Sequence, residues 1–194
     1  MLNIVVFGAP GSGKGTQSDA IKSHFNLFHI STGDVLRQEI ALDTETGRIA
    51  KKYIDGGQLV PDDIIIEVLA HVLDKLDHQD GVIFDGFPRT VVQAEALDKM
   101  LEKRGQRVDA LVDLQVPEEL LVERILNRSK VSGRSDDNEE AVRQRLEVYK
   151  SRTIPVMEYY RAMGKHIPIN GVGDINEISQ GIISALEQKL NRKV

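Results

Sequence analysis

The chain has 194 residues, a net charge of −5 at pH 7 and no cysteine. A chain of this length supports one well-buried core with small appended subdomains, but not two large independent domains. The acidic balance argues against a nucleic-acid partner held by bulk electrostatics, and the lack of cysteine excludes disulfides and cysteine-ligated zinc.

Short apolar runs alternate with longer amphipathic segments along the chain. Near-continuous apolarity predicts strands that are covered on both faces, at residues 4–7, 28–30 (the weakest), 82–84, 110–114 and 166–169. Helical patterns lie between these runs, at about 14–25, 62–77, 90–104, 118–128, 136–163 and 174–190. Such alternation predicts an α/β fold in which helices cover both sides of a parallel sheet.

The N-terminal run lacks the basic segment of a signal peptide, and no stretch approaches the roughly 18 apolar residues that span a membrane. The five histidines show no spacing typical of metal ligands. We therefore expect a cytoplasmic protein with no membrane partner.

Two segments break the alternation. Residues 31–60 contain two short helical patterns and three glycines but no good strand, and residues 129–135 form a polar, glycine-containing loop. Both could be ordinary surface connections. Because arginines flank both segments, we predict mobile covers over a site.

A phosphate-binding loop is predicted where the first strand meets the first helix. Residues 8–16 read Gly-Ala-Pro-Gly-Ser-Gly-Lys-Gly-Thr, in which glycines let backbone N–H groups turn inward and the helix N-terminus adds partial positive charge. Lys14 supplies a point charge for the β- and γ-phosphates. The position after the lysine, usually Ser or Thr, is Gly15, and Thr16 follows it. Magnesium should therefore depend more on water and a carboxylate than on this loop.

The carboxylate we expect to hold Mg²⁺, mainly through water, is Asp85. It follows a predicted buried strand, at the tip of which an acid beside a phosphate loop is well placed for the ion. Its alternative role is that of a turn aspartate before Gly86.

More arginines follow than a single triphosphate requires. Phosphoryl transfer depends on alignment and on neutralising the charge of the phosphate oxygens, and guanidinium groups bind two oxygens at once. The alternative for each arginine alone is a solvated helix face or a surface ion pair, such as one between Arg145 and Asp137. The candidates are Arg37, Arg89, Arg124, Arg128, Arg134 and Arg145.

Five motifs, in chain order, resemble those of nucleoside monophosphate kinases, most closely the adenylate kinase family. They are residues 8–16, 31–37 (Ser-Thr-Gly-Asp-Val-Leu-Arg), 58–60 (Gln-Leu-Val), 85–90 (Asp-Gly-Phe-Pro-Arg-Thr) and 133–137 (Gly-Arg-Ser-Asp-Asp). The match extends from residue 1 to the C-terminal helix, and the phosphate loop together with Asp-Gly-Phe-Pro-Arg is a highly specific combination.

The resemblance implies a P-loop three-layer fold with a five-stranded parallel sheet. The implied core nucleotide-binding domain comprises residues 1–30, 61–126 and 138–194, the AMP-binding subdomain residues 31–60, and a short lid residues 127–137. The implied reaction is reversible phosphoryl transfer from Mg-ATP to AMP, giving two ADP and serving adenine nucleotide homeostasis. A monomer is implied as well, and zinc is not expected because the lid lacks the inserted hairpin and cysteines of long-lid relatives.

The resemblance also assigns roles to individual residues. ATP binding falls to Gly11, Ser12, Gly13, Lys14, Gly15, Thr16, Arg128 and Gly173. AMP binding falls to Thr32, Arg37, Gln58, Leu59, Val60, Gly86, Phe87, Pro88, Arg89, Gln93, Arg134 and Arg145. The catalytic set is Lys14, Arg89, Arg124, Arg134 and Arg145, of which the last three close on the phosphates being transferred. Gln93 also fits the spacing of a capping box that begins at Thr90.

Three other functions stay open at this point. A UMP/CMP kinase shares the core, the short lid and the arginines, although Thr32 and Gln93 resemble the AMP-specific version. A nucleotide-dependent switch needs the phosphate loop but not a second arginine-rich site. The phosphate loop alone also fits a kinase for another small acceptor, such as a sugar. Selectivity for ATP over GTP as donor does not follow from these residues.

Overall fold

The sheet of the computed structural model, which describes residues 1–76 and 81–191, has five parallel strands. The strands are β1 (Asn3–Gly8), β2 (Phe28–Ser31), β3 (Val82–Asp85), β4 (Ala110–Gln115) and β5 (His166–Asn170), in the spatial order β2-β3-β1-β4-β5. The predicted α/β fold with a five-stranded parallel sheet is thus confirmed. Every strand extends one residue beyond its predicted C-terminal end, and these added residues include Gly8, Ser31 and Asp85.

Helices connect the strands. They are α1 (Lys14–Phe25), α2 (Thr32–Ala41), α3 (Glu45–Ile54), α4 (Asp62–Asp74), α5 (Val91–Glu102), α6 (Glu118–Ser132), α7 (Glu139–Val148), α8 (Ile154–Ala162) and α9 (Ile175–Asn191), with a π-helical turn, Tyr149–Thr153, between α7 and α8. None of the helices in the described parts of the chain is long and apolar enough to cross a membrane.

Two apolar layers pack against opposite faces of the sheet, because alternate strand residues point to opposite sides. On one face, Val5 and Phe84 contact residues of α4, α5 and α8, including Leu69 and Leu97. On the other face, Ile4, Val6, Ile83 and Val112 contact α1 and α9 through Ile21, Ile182 and Leu186. The result is a three-layer arrangement whose central sheet is buried on both sides.

A third apolar cluster holds the segment around residues 118–148 against the core. It joins Ala9, beside the phosphate loop, to Leu121 and Ile125 of α6 and to Val142 and Leu146 of α7. Because α6 and α7 pack on the same residues, the loop between them is fixed at both ends above the first strand.

The predicted helix boundaries were wrong in two places. Helix α6 continues to Ser132 instead of ending at residue 128, so the loop predicted over 129–135 is shorter. The helix predicted over 136–163 is divided: α7 begins after the cap Asn138, whose side chain accepts a hydrogen bond from the Ala141 N–H, and α8 restarts near a proline after the π-helical turn. The last residue of the helix predicted over 62–77, and the end of the core segment 138–194, lie outside the described residues.

The topology determines where a ligand can bind. Strand β1 is central, and the chain leaves it toward β2 and β3 on one side and toward β4 and β5 on the other. In open parallel sheets the crevice at the carboxyl ends of the strands, where the strand order reverses, is the usual ligand site. Here the phosphate loop follows β1, and Asp85 ends the neighbouring strand β3, opposite Val6 in register.

Candidate active site

A cleft of about 760 Å³ lies at the carboxyl ends of the strands. It extends from the region of Gly173 and Ile175 at the start of α9, past the phosphate loop, to the segment of α2 and α3. Every residue predicted to bind ATP, AMP or magnesium, or to act catalytically, lines this cleft. The structure therefore brings the separate motifs together around one space.

The phosphate loop has the backbone that the glycines predict. Gly11 and Gly13 have φ of 84° and 95°, in the left-handed region that side chains disfavour. The Nζ of Lys14 donates to the carbonyls of Gly8 and Ala9 at 2.9 and 3.0 Å. Burial lowers the pKa of Lys14 to about 8, against the attraction of nearby Asp85. The lysine side chain thus folds back onto the phosphate loop, where Asp85 only partly balances its positive charge.

Asp85 lies beside this loop, and its residue is only 8% exposed. A Cβ on Gly15 would be 3.9 Å from its Oδ2, so no side chain separates the carboxylate from the start of α1. His29 on β2 contacts it from the other side, with 3.4 Å between Nε2 and Oδ2. The sequence reasoning missed His29. Its place on β2, the strand next to β3 in the sheet, was the signal that could have found it.

The start of α2 brings Thr32 and Arg37 to the cleft. The Ser31 side chain caps the helix by accepting from the Asp34 N–H, and Arg37 donates to Asp34 Oδ1 at 2.5 Å. Thr32 is buried and its hydroxyl donates to the carbonyl of Asp85 at 3.4 Å. These contacts join the first turn of α2 to the end of β3.

The turn after β3 holds Arg89. Gly86 has φ of 80°, and a Cβ there would come within 2.9 Å of the Thr32 hydroxyl and 3.1 Å of Arg89 Nη2, so the close approach requires glycine. Arg89 Nε donates to the Gly86 carbonyl at 2.7 Å, and its own carbonyl accepts from Thr153 at 2.9 Å. Burial, together with repulsion from Arg145, lowers the pKa of Arg89 to about 10. The guanidinium is therefore fixed and poorly solvated.

A second group of cations is organised by Asp137, whose side chain is fully buried. Its carboxylate accepts two bonds from Arg128 (2.9 and 2.5 Å), one from Ser132 at 2.9 Å and one from Arg145 at 3.2 Å. Arg145 also pairs with Asp136 at 2.9 Å. The ion pair of Arg145 with Asp137, predicted as an alternative to a binding role, is therefore present. It lies within the cleft, because Arg145 lines the cleft. The sequence predicted Asp137 only as a possible surface partner of Arg145, and it named Asp136 in a motif without a binding role.

Arg134 and Ser135 connect this group to the opposite side of the cleft. Arg134 Nη2 lies 4.0 Å from Asp34 Oδ1 near the start of α2, and the Ser135 hydroxyl donates to Asp55 Oδ1 at 2.6 Å. Burial, with repulsion from Arg37, lowers the pKa of Arg134. The segments 127–137 and 31–60 therefore meet across the mouth of the cleft.

Arg124 lies apart from the other arginines. Its Nη2 donates to the carbonyl of Gly171 at 3.2 Å, near the end of β5. Gly173 and Ile175 follow, and Gln17 of α1 holds this turn by donating to the Ile175 carbonyl at 3.3 Å. Arg124 lines the cleft, and its hydrogen-bond partner Gly171 lies close in the chain to Gly173, which was predicted to bind ATP.

The cleft as a whole is electropositive although the chain is acidic. Lys14 and six arginines line it, against four aspartates. Burial lowers the pKa of Arg145, as it lowers those of Arg89 and Arg134. Burying cations without a full set of partners is costly, so the arrangement fits ligands that carry several phosphate groups.

Comparisons with known proteins agree with this geometry. A family described as adenylate kinase matches residues 6–165. Curated proteins of the same name are similar over nearly the whole chain: one from Phocaeicola vulgatus is 56% identical over 188 residues, 97% of this chain and 100% of that protein. One from Parabacteroides distasonis is 58% identical over 178 residues, covering 92% and 94%, and one from Porphyromonas gingivalis strain W83 is 48% identical over 188 residues, covering 97% of each.

Proposed function

The chain belongs to the adenylate kinase family, and we propose that its cleft aligns Mg-ATP with AMP for reversible phosphoryl transfer to give two ADP. The observation that carries the proposal is the gathering of cations in one cleft: Lys14 on the phosphate loop, together with six arginines from other segments of the chain. A single triphosphate needs only the loop and its nearest cations, so the remaining arginines are available for a second phosphorylated substrate.

The donor lies over the phosphate loop. The loop N–H groups and the N-terminus of α1 bind the phosphates, and Lys14 leaves its carbonyl partners to meet the β- and γ-phosphates. Arg128, held by Asp137 at 2.9 and 2.5 Å, approaches the same phosphates. We assign Arg124 to the base end of ATP, beside Gly173, because its bond to the Gly171 carbonyl keeps its guanidinium there.

The acceptor lies over α2 and the turn after β3. Arg37 and Arg89 bind the AMP phosphate, and the fixed, poorly solvated guanidinium of Arg89 supports this assignment. Thr32 and Gln93 face the adenine, with the backbone of 58–60 beside it. Both side chains are buried in the wall of the cleft, at 3% and 2% exposure.

Transfer takes place between the two sites. Arg134 and Arg145 lie on the lid side and neutralise the charge that spreads over the oxygens of the transferred group, which is the main task of a protein in phosphoryl transfer. No side chain needs to act as a strong base. The contacts of segment 127–137 with Asp34 and Asp55 cover the cleft and exclude the water that would otherwise hydrolyse ATP.

Asp85 is the residue that would hold Mg²⁺. In the described part of the chain no group of three or more His, Cys, Asp or Glu could ligate a metal ion, but Mg²⁺ commonly uses one or two carboxylates together with waters and substrate phosphates. The buried carboxylate of Asp85, close to Gly15 and to Lys14, fits that requirement. A magnesium ion held there would supply positive charge to offset that of the phosphate oxygens.

We divide the chain as the motifs suggest, with 31–60 and 127–137 as the parts that move against the core formed by 1–30, 61–126 and 138–194. Segments 31–60 and 127–137 meet through polar contacts of Arg134 with Asp34 and of Ser135 with Asp55, which suits repeated opening. We also propose that the enzyme acts as a monomer, since one chain supplies every residue that lines the cleft.

An acceptor panel tests this function against its alternatives. Mg-ATP is incubated with AMP, UMP, CMP, GMP or no acceptor, and the nucleotides are separated chromatographically. We expect fast, reversible ADP formation with AMP and little turnover otherwise. A preference for UMP or CMP would keep the cation roles but overturn the acceptor, and turnover without any acceptor would favour the nucleotide-dependent switch.

A further inference from the structure

Gln93, the proposed reader of the acceptor base, is held at both ends of its side-chain amide. Oε1 accepts a hydrogen bond from the Arg89 N–H at 2.7 Å, and Nε2 donates to Asp62 Oδ1 at 2.8 Å. Asp62 is the first residue of α4 and lies 31 positions away in the chain. The same Oδ1 accepts from the Thr90 hydroxyl at 3.0 Å, and that hydroxyl in turn caps α5 at Gln93.

These two partners determine which way the amide faces. An ionised carboxylate can only accept hydrogen bonds and a backbone N–H can only donate. If the amide turned over, its oxygen would face the Asp62 carboxylate and its NH₂ group would face the Arg89 N–H. Both bonds would be replaced by repulsion, so only one of the two orientations is allowed.

The fixed amide keeps one donor and one acceptor for a ligand. A glutamine amide has two N–H donors and two lone pairs on oxygen, and one of each is used by Asp62 and Arg89. Gln93 lines the cleft. The edge that a base meets therefore offers an acceptor at Oε1 and a donor at Nε2, in an order that cannot be reversed.

This order distinguishes purines by their six-position. Adenine presents a donor at N6 and an acceptor at N1, which match Oε1 and Nε2 respectively. Hypoxanthine and guanine present an acceptor at O6 and a donor at N1, the reverse pattern. A free glutamine amide could pair with both patterns by turning over. An amide fixed at both ends leaves a 6-oxopurine with mispaired polar groups, and a binding site rejects such a base strongly.

We propose that Asp62 is a specificity-determining positioning residue, which makes the enzyme select 6-aminopurine over 6-oxopurine monophosphates by fixing the amide of Gln93. The inference rests on the proposed function, in which Gln93 faces the acceptor base. Asp62 does not touch the substrate in this scheme; it acts on the amide of Gln93 directly and on the cap of α5 through Thr90.

The test compares AMP with IMP, because these acceptors differ only in the groups at positions 1 and 6. The variant is Asp62→Ala, and the matched control is Asp63→Ala, which removes the same charge from the same helical turn at an exposed position. Initial rates with Mg-ATP give kcat/KM for each acceptor and KM for ATP, with products separated chromatographically. Thermal unfolding of every variant is measured alongside.

We expect Asp62→Ala to lower the ratio of kcat/KM for AMP to that for IMP by about tenfold to a hundredfold, the range for loss of a hydrogen bond to a charged partner. The KM for ATP should change less than about twofold, and Asp63→Ala should keep the wild-type ratio. A loss of stability alone would lower both activities together and leave the ratio unchanged, and that result would overturn the proposal.

A double-mutant cycle with Gln93→Ala separates the inference from the function on which it rests. Gln93→Ala should itself lower the AMP to IMP ratio, and adding Asp62→Ala to it should change the ratio no further. If Gln93→Ala leaves the ratio intact, the base-reading role and this inference both fail. If it lowers the ratio but Asp62→Ala does not, only the role of Asp62 is refuted, as it is if the two effects add.

Discussion

Replacement of Asp137 by alanine should destabilise the lid segment more than any comparable loss of a surface carboxylate. Asp137 is fully buried and joins Arg128, Ser132 and Arg145 through four hydrogen bonds. Removing it leaves two guanidinium groups without the carboxylate that fixes them. It also releases the end of α6, where Ser132 is the last residue.

The size of the effect follows from what each partner retains. Breaking a buried ion pair by removing one member costs about 3–5 kcal/mol. Arg128 is 33% exposed and regains some hydration, and Arg145 keeps its 2.9 Å contact with Asp136. We therefore expect a loss of about 2 kcal/mol in the free energy of unfolding, which for a chain of this size lowers Tm by about 4–8 °C.

Calorimetry and urea unfolding at pH 7 measure this loss, with Glu139→Ala as control. Glu139 forms an exposed ion pair with Arg143 one turn away, so its removal should cost less than about 0.5 kcal/mol. Equal Tm values for the two variants would refute the role assigned to Asp137.

The dependence of this loss on pH provides a second check. Burial opposes ionisation of Asp137, but hydrogen bonds from Arg128 and Ser132 lower its pKa overall. Its contribution is therefore present above the ordinary carboxyl pKa of 3.8 and is lost as the pH falls further. The difference between Asp137→Ala and the wild type should be full at pH 7 and smaller at pH 3. A difference that stays constant across this range would mean that packing, not charge, is lost.

Three further substitutions or conditions test the site. Arg124→Ala should raise KM for ATP and leave KM for AMP within about twofold. Equal increases in both KM values would contradict this assignment and indicate that Arg124 binds the transferred phosphates instead. The kcat/KM for ATP should fall as the pH rises through about 8, because neutral Lys14 no longer attracts phosphate; a Lys14→Arg variant, if active, should lack this inflection. Ser135→Ala removes the 2.6 Å bond to Asp55 and should raise KM for AMP roughly fivefold, measured by initial rates, while Ser129→Ala, which loses only a bond within its own helix, should not.

The parts of the fold that were predicted are those specified by local patterns. Apolar runs identified all five strands, and the phosphate loop was identified because glycine spacing directly determines backbone shape. The limits of α6 were harder to predict. Residues 129–132 (Ser-Lys-Val-Ser) are mostly polar, like an ordinary loop, and they remain helical because Ser132 bonds to Asp137 and the next residue, Gly133, ends the helix with φ of 61°. That bond joins the end of α6 to the loop before α7, and the spacing of apolar residues does not specify it.

The site shows the same limit. The motif arginines were found because glycine, proline or acidic neighbours mark them, and all of them line the cleft. Their partners were predicted only in part. The pair of Arg145 with Asp137 was considered, but the bonds of Arg128 and Ser132 to Asp137 were missed, as was His29, a polar residue in a weak strand. Arg124 and Arg128 are four residues apart on one face of α6, yet Arg124 bonds to the Gly171 carbonyl and Arg128 to Asp137. Both partners lie outside α6, so helical spacing alone does not specify them.

Under the proposed function, the distribution of charge would make closure and binding depend on each other. Arginines on an exposed surface repel one another weakly because water and salt screen their charges. Lys14, Arg89 and Arg145 are screened less in the cleft, where burial lowers their pKa values. Each of these cations gains more from a phosphate than a surface arginine would, since it has less water to give up. With only one nucleotide bound, the arginines at the other site remain without anions, and burying them under the lid stays costly. Under the proposed function, closure of segment 127–137 over these cations would therefore be more favourable with both nucleotides bound than with one, and this would protect ATP from water.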